Sequence, residues 1–206
     1  MGKTPRSLIP SGVKYSIDGE LPAHERDVEA ARKLFAEAGI NPDGMKVQIW
    51  TNERKERVDM ATIIQAQLKE LGIVAEIKVL EWGAYIQGLQ KKEHDLFLLG
   101  WGLSVPDPDY AVAGLLESNA GSNYTFFSDA KLDEMLAKGR SMPDGAERAE
   151  LYKDMQFHIN ALCPMIFLHN DESLVGVQKT VKGFTSSPFD VHTSTKIGRA
   201  SCRERV

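Results

Sequence analysis

The sequence predicts an α/β fold with a mostly parallel sheet flanked by helices, and three observations carry that prediction. Two segments, at 46–51 and 74–80, alternate apolar and polar residues with period two. Two stripes of helical period precede them, each stopped by the pair Gly-Ile. A third strand-sized run, nearly all apolar, follows at 95–100. Strands that alternate with helices in this way lie side by side and parallel.

Residues 1–24 hold Gly2, Pro5, Pro10, Gly12, Gly19 and Pro22 with no helical period among them, so they read as an extended connecting segment. The first helix starts at Asp27, whose carboxylate can cap it. Val28, Ala31, Phe35 and Ala38 form its stripe, and Gly39-Ile40 its stop. The strand at 46–51 sets Val47 and Ile49 on one face. The second helix carries Ala61, Ile64, Leu68 and Leu71 and ends on Gly72-Ile73, with glycine left-handed and isoleucine packed back on the last turn in both cases. The strand at 74–80 opposes Ala75, Ile77 and Val79 to Glu76 and Lys78. A short amphipathic helix spans 82–90, and the apolar run 96–99 suits a central strand covered on both faces.

The second half is more helical. Ser128 can cap a helix bearing Leu132, Met135 and Leu136. Asp144 and Glu147 have capping-box spacing ahead of a helix with Leu151, Met155, Ile159 and Leu162. Pro164 ends that helix at or before Cys163. The runs 165–168 and 174–177 read as strands around a polar turn at 169–172.

Composition narrows the function. A formal net charge of −4 gives no reason to expect nucleic acid or an anionic membrane surface as partner. No apolar run approaches the roughly 20 residues that cross a bilayer. The N-terminal residues lack the apolar stretch of a secretory signal. At the other end, Lys196-Ile197-Gly198-Arg199-Ala200-Ser201-Cys202-Arg203-Glu204-Arg205-Val206 turns abruptly basic and matches the translation of a short-read sequencing adapter. Residues 196–206 are therefore read as an artefact and left out of the fold. Cys163 then stands alone, with no disulfide or cysteine-based metal site.

Several motifs stand in one order along the chain: Glu81-Trp82-Gly83-Ala84-Tyr85, Asp95-Leu96-Phe97-Leu98-Leu99-Gly100-Trp101-Gly102, Pro106-Asp107-Pro108-Asp109-Tyr110, Gly121-Ser122-Asn123-Tyr124, Glu147-Arg148-Ala149-Glu150-Leu151-Tyr152 and Val181-Lys182-Gly183-Phe184. With the two helices ending at Gly39 and Gly72, this succession resembles the bacterial extracellular solute-binding proteins of family 5, the oligopeptide- and dipeptide-binding components of ABC transporters. The resemblance implies the second, C-terminal lobe of a two-lobed periplasmic-binding-protein-like fold. In those terms 25–184 is the solute-binding lobe and 185–195 returns toward a first lobe missing from this chain, Met1 being an internal methionine.

The resemblance further implies a ligand-capture subunit that binds peptides or peptide-like solutes between two lobes by hinge closure. Its partner would be the membrane permease of an ABC importer. The full-length protein would be a monomer, periplasmic or membrane-anchored outside the cytoplasm, with no cofactor. Ligands of open α/β sheets sit beyond the carboxyl ends of the strands. The expected contacts are therefore Trp101, Gly102, Leu103 and Ser104, with Asp107, Asn123 and Tyr124 as further candidates. Many peptide-binding members carry an aspartate three residues after the tryptophan, for the peptide's α-ammonium group, where this chain has Ser104. Either Asp107 or Asp109 substitutes, or the solute is a glutathione-like molecule, a metal chelate or a sugar. A receptor-type module that binds a protein partner is the other reading.

Simpler readings compete at several positions. Asp107 and Asp109, flanked by Pro106 and Pro108 and preceding Tyr110-Ala111-Val112, also suit the cap of a helix. His158 fits a packed core histidine, and Cys163 a small buried residue. Trp82 and Tyr85 read as packing residues, and Trp101 also fits a core packing residue, its place after a glycine at a strand end favouring the solute contact. His94, His169 and His192 lack the spacing of metal ligands. No nucleophile elbow, phosphate loop or zinc signature is present, so no catalytic residue is assigned and an enzyme is not expected.

Overall fold

The computed structural model describes residues 2–171, 176–178 and 180, with side chains from Thr4 onward. The described chain divides into two compact units, one built around the sheet and one around three helices. The expected exit motif at 181–184, the returning segment 185–195, His192 and the tail 196–206 with Cys202 lie outside the described residues. So do two positions of the strand expected at 174–177.

The sheet unit comprises residues 22–101 and 118–128. Helix α1 (Val28–Glu37) starts where Asp27 accepts a hydrogen bond from the Ala30 amide. Strand β2 (Lys46–Asn52) leads into α2 (Lys55–Lys69), which returns the chain to β3 (Val74–Leu80). Helix α3 (Trp82–Gln90) and the two-residue β4 (Leu96–Phe97) follow. The strand order is β3-β2-β4, and both pairings are parallel, as the alternation of elements predicts.

The helix stops work through backbone geometry. Gly39 and Gly72 sit at φ 68° and 83°, where a side chain would be strained, and let the next amide reach back to the last turn. The Ile40 amide donates to the Phe35 carbonyl at 2.9 Å and the Ile73 amide to the Leu68 carbonyl at 3.2 Å. Ile73 is buried, but Ile40 stays 46% exposed, so only the second stop gains the apolar contact.

The central strand is β2, not the apolar run 96–99. Ile49, Trp50 and Thr51 are buried in succession, which requires cover on both faces. On one face Ile49 packs with Ala61 and Leu98, joined by Met60, Ile64 and Leu68 from α2 and by Ala75 and Ile77 from β3. On the other, Trp50 packs with Tyr85 and Leu89 of α3. Strand β4 pairs only with β2, and after one more bond, from the Leu98 amide to the Trp50 carbonyl at 3.0 Å, the ladder ends. Leu96 is exposed as a consequence. Trp82, expected to pack, is 51% exposed at the start of α3, whereas Tyr85 one turn later is fully buried.

The helical unit comprises residues 2–21, 102–117 and the described residues from Asp129 on. It contains α4 (Pro108–Leu116), α5 (Ala130–Ser141) and α6 (Ala146–Leu162). A small antiparallel pair joins β1 (Gly2–Lys3) to β5 (Asn170–Asp171). The core holds Val112 and Leu116 of α4, Leu132 and Leu136 of α5, and Tyr152, Met155 and Ile159 of α6. Residues 4–21 carry no helix or strand, yet Ile9, Val13 and Leu21 are buried with this core.

Four local expectations give way here. The cap of α5 is Asp129, which accepts from the Leu132 amide at 2.7 Å, while Ser128 bonds the Ser118 hydroxyl. Asp144 does not cap α6. Gly145 occupies that position, and the Asp144 carboxylate takes stronger donors, from Lys14, Tyr15 and Arg148. Cys163 is exposed because it forms the left-handed C-cap of α6, at φ 46°, just before Pro164. Residues 165–168 form no strand: Ile166 is 77% exposed, and Asn170 and Asp171, expected to turn, make the pairing instead.

Candidate functional site

Because β2, β3 and β4 are parallel, their carboxyl ends Asn52, Leu80 and Phe97 lie on one side of the sheet. Polar groups gather there. Arg57, in the first turns of α2, donates to the Asn52 side-chain oxygen at 2.9 Å. Its other terminal nitrogen lies so near the chain leaving β4 that a Cβ on Gly100 would stand 3.0 Å from it. Tyr85 sends its hydroxyl to the Leu98 carbonyl at 2.8 Å, which fixes the start of the same stretch. Burial pushes the Tyr85 phenol well above its ordinary range, so it remains a donor at any physiological pH. Glu81 caps α3 by accepting from the Gly83 and Ala84 amides, and these bonds lower its pKa.

Of the residues expected to meet a solute, Trp101 ends the sheet unit and is half-buried directly after Gly100. Gly102 and Ser104 are exposed, and Leu103 is half-buried, in a stretch with no helix or strand. Asn123 is buried, and both ends of its amide serve the loop around it: the nitrogen donates to the Phe127 carbonyl at 2.8 Å and the oxygen accepts from Thr125 at 2.8 Å. Tyr124 meets Phe97 edge to face, and its carbonyl accepts from the His94 ring at 3.1 Å. Asn123 and Tyr124 thus hold a loop in the sheet unit.

Asp107 is the helix cap that its setting between prolines suggests, accepting from the Asp109 amide at 2.9 Å with Pro108 opening α4. Its carboxylate also takes both terminal nitrogens of Arg148, the nearest pair at 3.1 Å. Asp109 accepts from Nε of Arg140 at 3.1 Å, and the same guanidinium forks onto Glu117 at 2.8 and 2.7 Å. The hydrogen bonds from Arg140 hold the Glu117 carboxyl below its usual range. Both aspartates that could stand in for an ammonium-binding carboxylate are therefore already paired with arginine.

Sequence reasoning passed over Asn52 and Arg57. Asn52 is marked in the sequence as a polar residue ending a strand, but the approach of Arg57 to Gly100 depends on the pairing of β2 with β4. His158, expected in the core, is half-buried and bonds Asp129 at 2.9 Å, linking α6 to the start of α5. Among the described residues no three histidine, cysteine or carboxylate side chains converge as metal ligands would, and no helix is long and apolar enough to cross a membrane.

In an open parallel α/β layer, ligands sit beyond the carboxyl ends of the strands, the side of the sheet where these polar groups gather. Residues 1–123 match the model of bacterial extracellular solute-binding proteins, family 5 middle, and the chain belongs to that family. The dipeptide-binding protein of Escherichia coli K12 is 28% identical over 201 residues, covering 93% of this chain and 37% of that protein. A dipeptide-binding protein of Pseudomonas aeruginosa is 31% identical over 183 residues, 85% of this chain and 34% of its own length. Among solved structures, a periplasmic binding protein associated with an ABC transporter of Helicobacter pylori, in complex with a peptide, superposes with a TM-score of 0.76. It is 28% identical, and the likeness covers 82% of this chain and 33% of that one. The chain spans about a third of the length of the relatives it matches.

Proposed function

We propose that this chain is the second lobe of a two-lobed capture protein for an ABC importer, binding peptides or peptide-like solutes outside the cytoplasm and delivering them unchanged to a membrane permease. The observation that carries this reading is the carboxyl edge of the sheet. There the Asn52–Arg57 pair lies beside Gly100, and Trp101-Gly102-Leu103-Ser104 continues the chain. Glycine at this point lets a solute approach the backbone, whose amides and carbonyls can pair with an extended peptide whatever its side chains. Trp101 offers a broad apolar surface with one N–H donor. The Arg57 guanidinium matches a carboxylate, which every free peptide carries. Capture without conversion fits relatives that are themselves described as binding proteins.

The test is calorimetry and thermal stabilisation of the complete gene product that carries this chain, with the neutral dipeptide Ala-Leu, alongside mass spectrometry of the peptide. Saturable binding and an intact peptide are expected, with at least tenfold weaker binding in Trp101→Ala. Cleaved peptide, or no binding, overturns the reading. The isolated chain has only part of the contacts and is expected to bind no tighter than micromolar.

A further inference from the structure

We infer that Arg148 is a positioning residue for the solute-contacting stretch, holding its far end in place through Asp107; this rests on the reading of Trp101–Ser104 given above. Arg148 is a charged residue with only 9% of its side chain exposed. Every donor on its guanidinium side has a named use. Nε donates to the Gly139 carbonyl at 2.9 Å, Nη1 to Asp144 at 3.0 Å, and both terminal nitrogens to the Asp107 carboxylate at 3.1–3.3 Å. The guanidinium carbon Cζ lies 5.0 Å from the Tyr152 ring centre and 5.7 Å from that of Tyr15.

A planar fork held by three groups and two rings has little freedom left, and it grips the Asp107 carboxylate in addition to that residue's own cap bond to the Asp109 amide. Asp107 stands between Pro106 and Pro108, whose rings fix φ on either side. Only Val105 and Pro106 separate it from exposed Ser104. The position of Asp107 is thus passed up the chain through few soft torsions. Losing the fork would leave α4 its cap but let the preceding stretch sample more conformations, and the ordering would then oppose solute binding.

Lysine keeps the charge but presents a single ammonium on a flexible stem. It cannot serve Gly139, Asp144 and Asp107 together. The experiment compares Arg148→Lys, Trp101→Ala and Lys14→Ala with the parent in the complete gene product, using Ala-Leu calorimetry well below each thermal midpoint. Lys14→Ala removes another partner of Asp144 and serves as the control for a change confined to structure. Arg148→Lys is expected to raise Kd at least fivefold, with Lys14→Ala within twofold of the parent. In Asp107→Asn, the further substitution Arg148→Lys should add less than twofold. If Trp101→Ala weakens binding while Arg148→Lys leaves Kd within twofold, the positioning role is overturned and the binding reading stands. If neither changes Kd, the stretch is not the contact and both fall. Should Arg148→Lys fail to fold, Asp107→Asn alone must show the fivefold loss, and its absence is equally decisive against the role.

Discussion

Gly88 on α3 lies so close to the Trp50 ring that a Cβ added to it would stand 2.3 Å from Cζ3 and 2.8 Å from Cη2. The ring cannot swing aside easily. Trp50 is 2% exposed, and its indole nitrogen donates to the Gln48 side chain at 2.8 Å. Gly88→Ala should therefore destabilise the chain by about 1–3 kcal/mol through overpacking, despite the roughly 1 kcal/mol that alanine gains over glycine as a helix former. Urea unfolding followed by tryptophan fluorescence measures it. Gly12→Ala, where nothing lies within 4 Å of the new Cβ, is the reference, expected to be near neutral. Equal midpoints for the two variants would show that the Trp50 ring yields.

His94 makes the sheet unit sensitive to acid. Its Nε2 faces the Tyr124 carbonyl, which only accepts, so Nε2 carries the proton and Nδ1 is left buried without a partner. Phe97 and Phe126 flank the ring. Burial lowers the His94 pKa from its ordinary 6.5, against the opposing pull of the Tyr124 carbonyl and Asp95. The unfolded chain therefore takes up this proton first as pH falls. The sign is a loss of stability that begins below about 6.5 and levels off once the folded histidine also titrates. Urea midpoints at pH 7.5 and 5.5 should differ less in His94→Gln, which keeps a donor for Tyr124 but does not titrate. An unchanged pH dependence in that variant would remove His94 from the account.

What the sequence made legible was local. The stops at Gly39 and Gly72 and the cap at Asp27 depend on neighbours within a few residues, and all are found in place, while the alternation of 74–80 holds through Lys78 and breaks at Val79, which is exposed. What escaped depends on where distant segments meet. The apolar run 96–99 looked central, but a strand's place in a sheet is set by its partners, and β4 has only β2. Asp144 has a capping spacing, but tertiary donors from Lys14 and Tyr15 outcompete the local amide. At the site, Trp101 and Gly102 could be named because they follow a strand. Arg57 could not, because its approach to Gly100 exists only once β2 and β4 pair. The loop role of Asn123 likewise needs the positions of Thr125 and Phe127.

The same distance effect makes Gln156 the residue on which the first segment depends. From α6 its side-chain oxygen accepts from the Ser7 hydroxyl at 2.8 Å, across 149 residues of sequence, and from the Ile17 amide at 3.2 Å. Its nitrogen donates to the Tyr15 carbonyl at 2.8 Å and to the Tyr152 carbonyl at 2.9 Å. All four bonding positions of the amide are thus used, and the side chain is 2% exposed. Gln156→Leu keeps the volume but strands these partners, each buried unsatisfied group costing about 1–3 kcal/mol. Some of that cost is avoidable, because residues 4–21 carry no helix or strand and can lift off to reach water. The expected outcome is therefore local: faster proteolysis and hydrogen exchange within residues 4–21, with the sheet unit unaffected. Gln156→Glu should act the same way, since a carboxylate cannot donate to the Tyr15 and Tyr152 carbonyls. Protection of 4–21 at the parental level in both variants would mean that the burial of Ile9, Val13 and Leu21 alone holds the segment down.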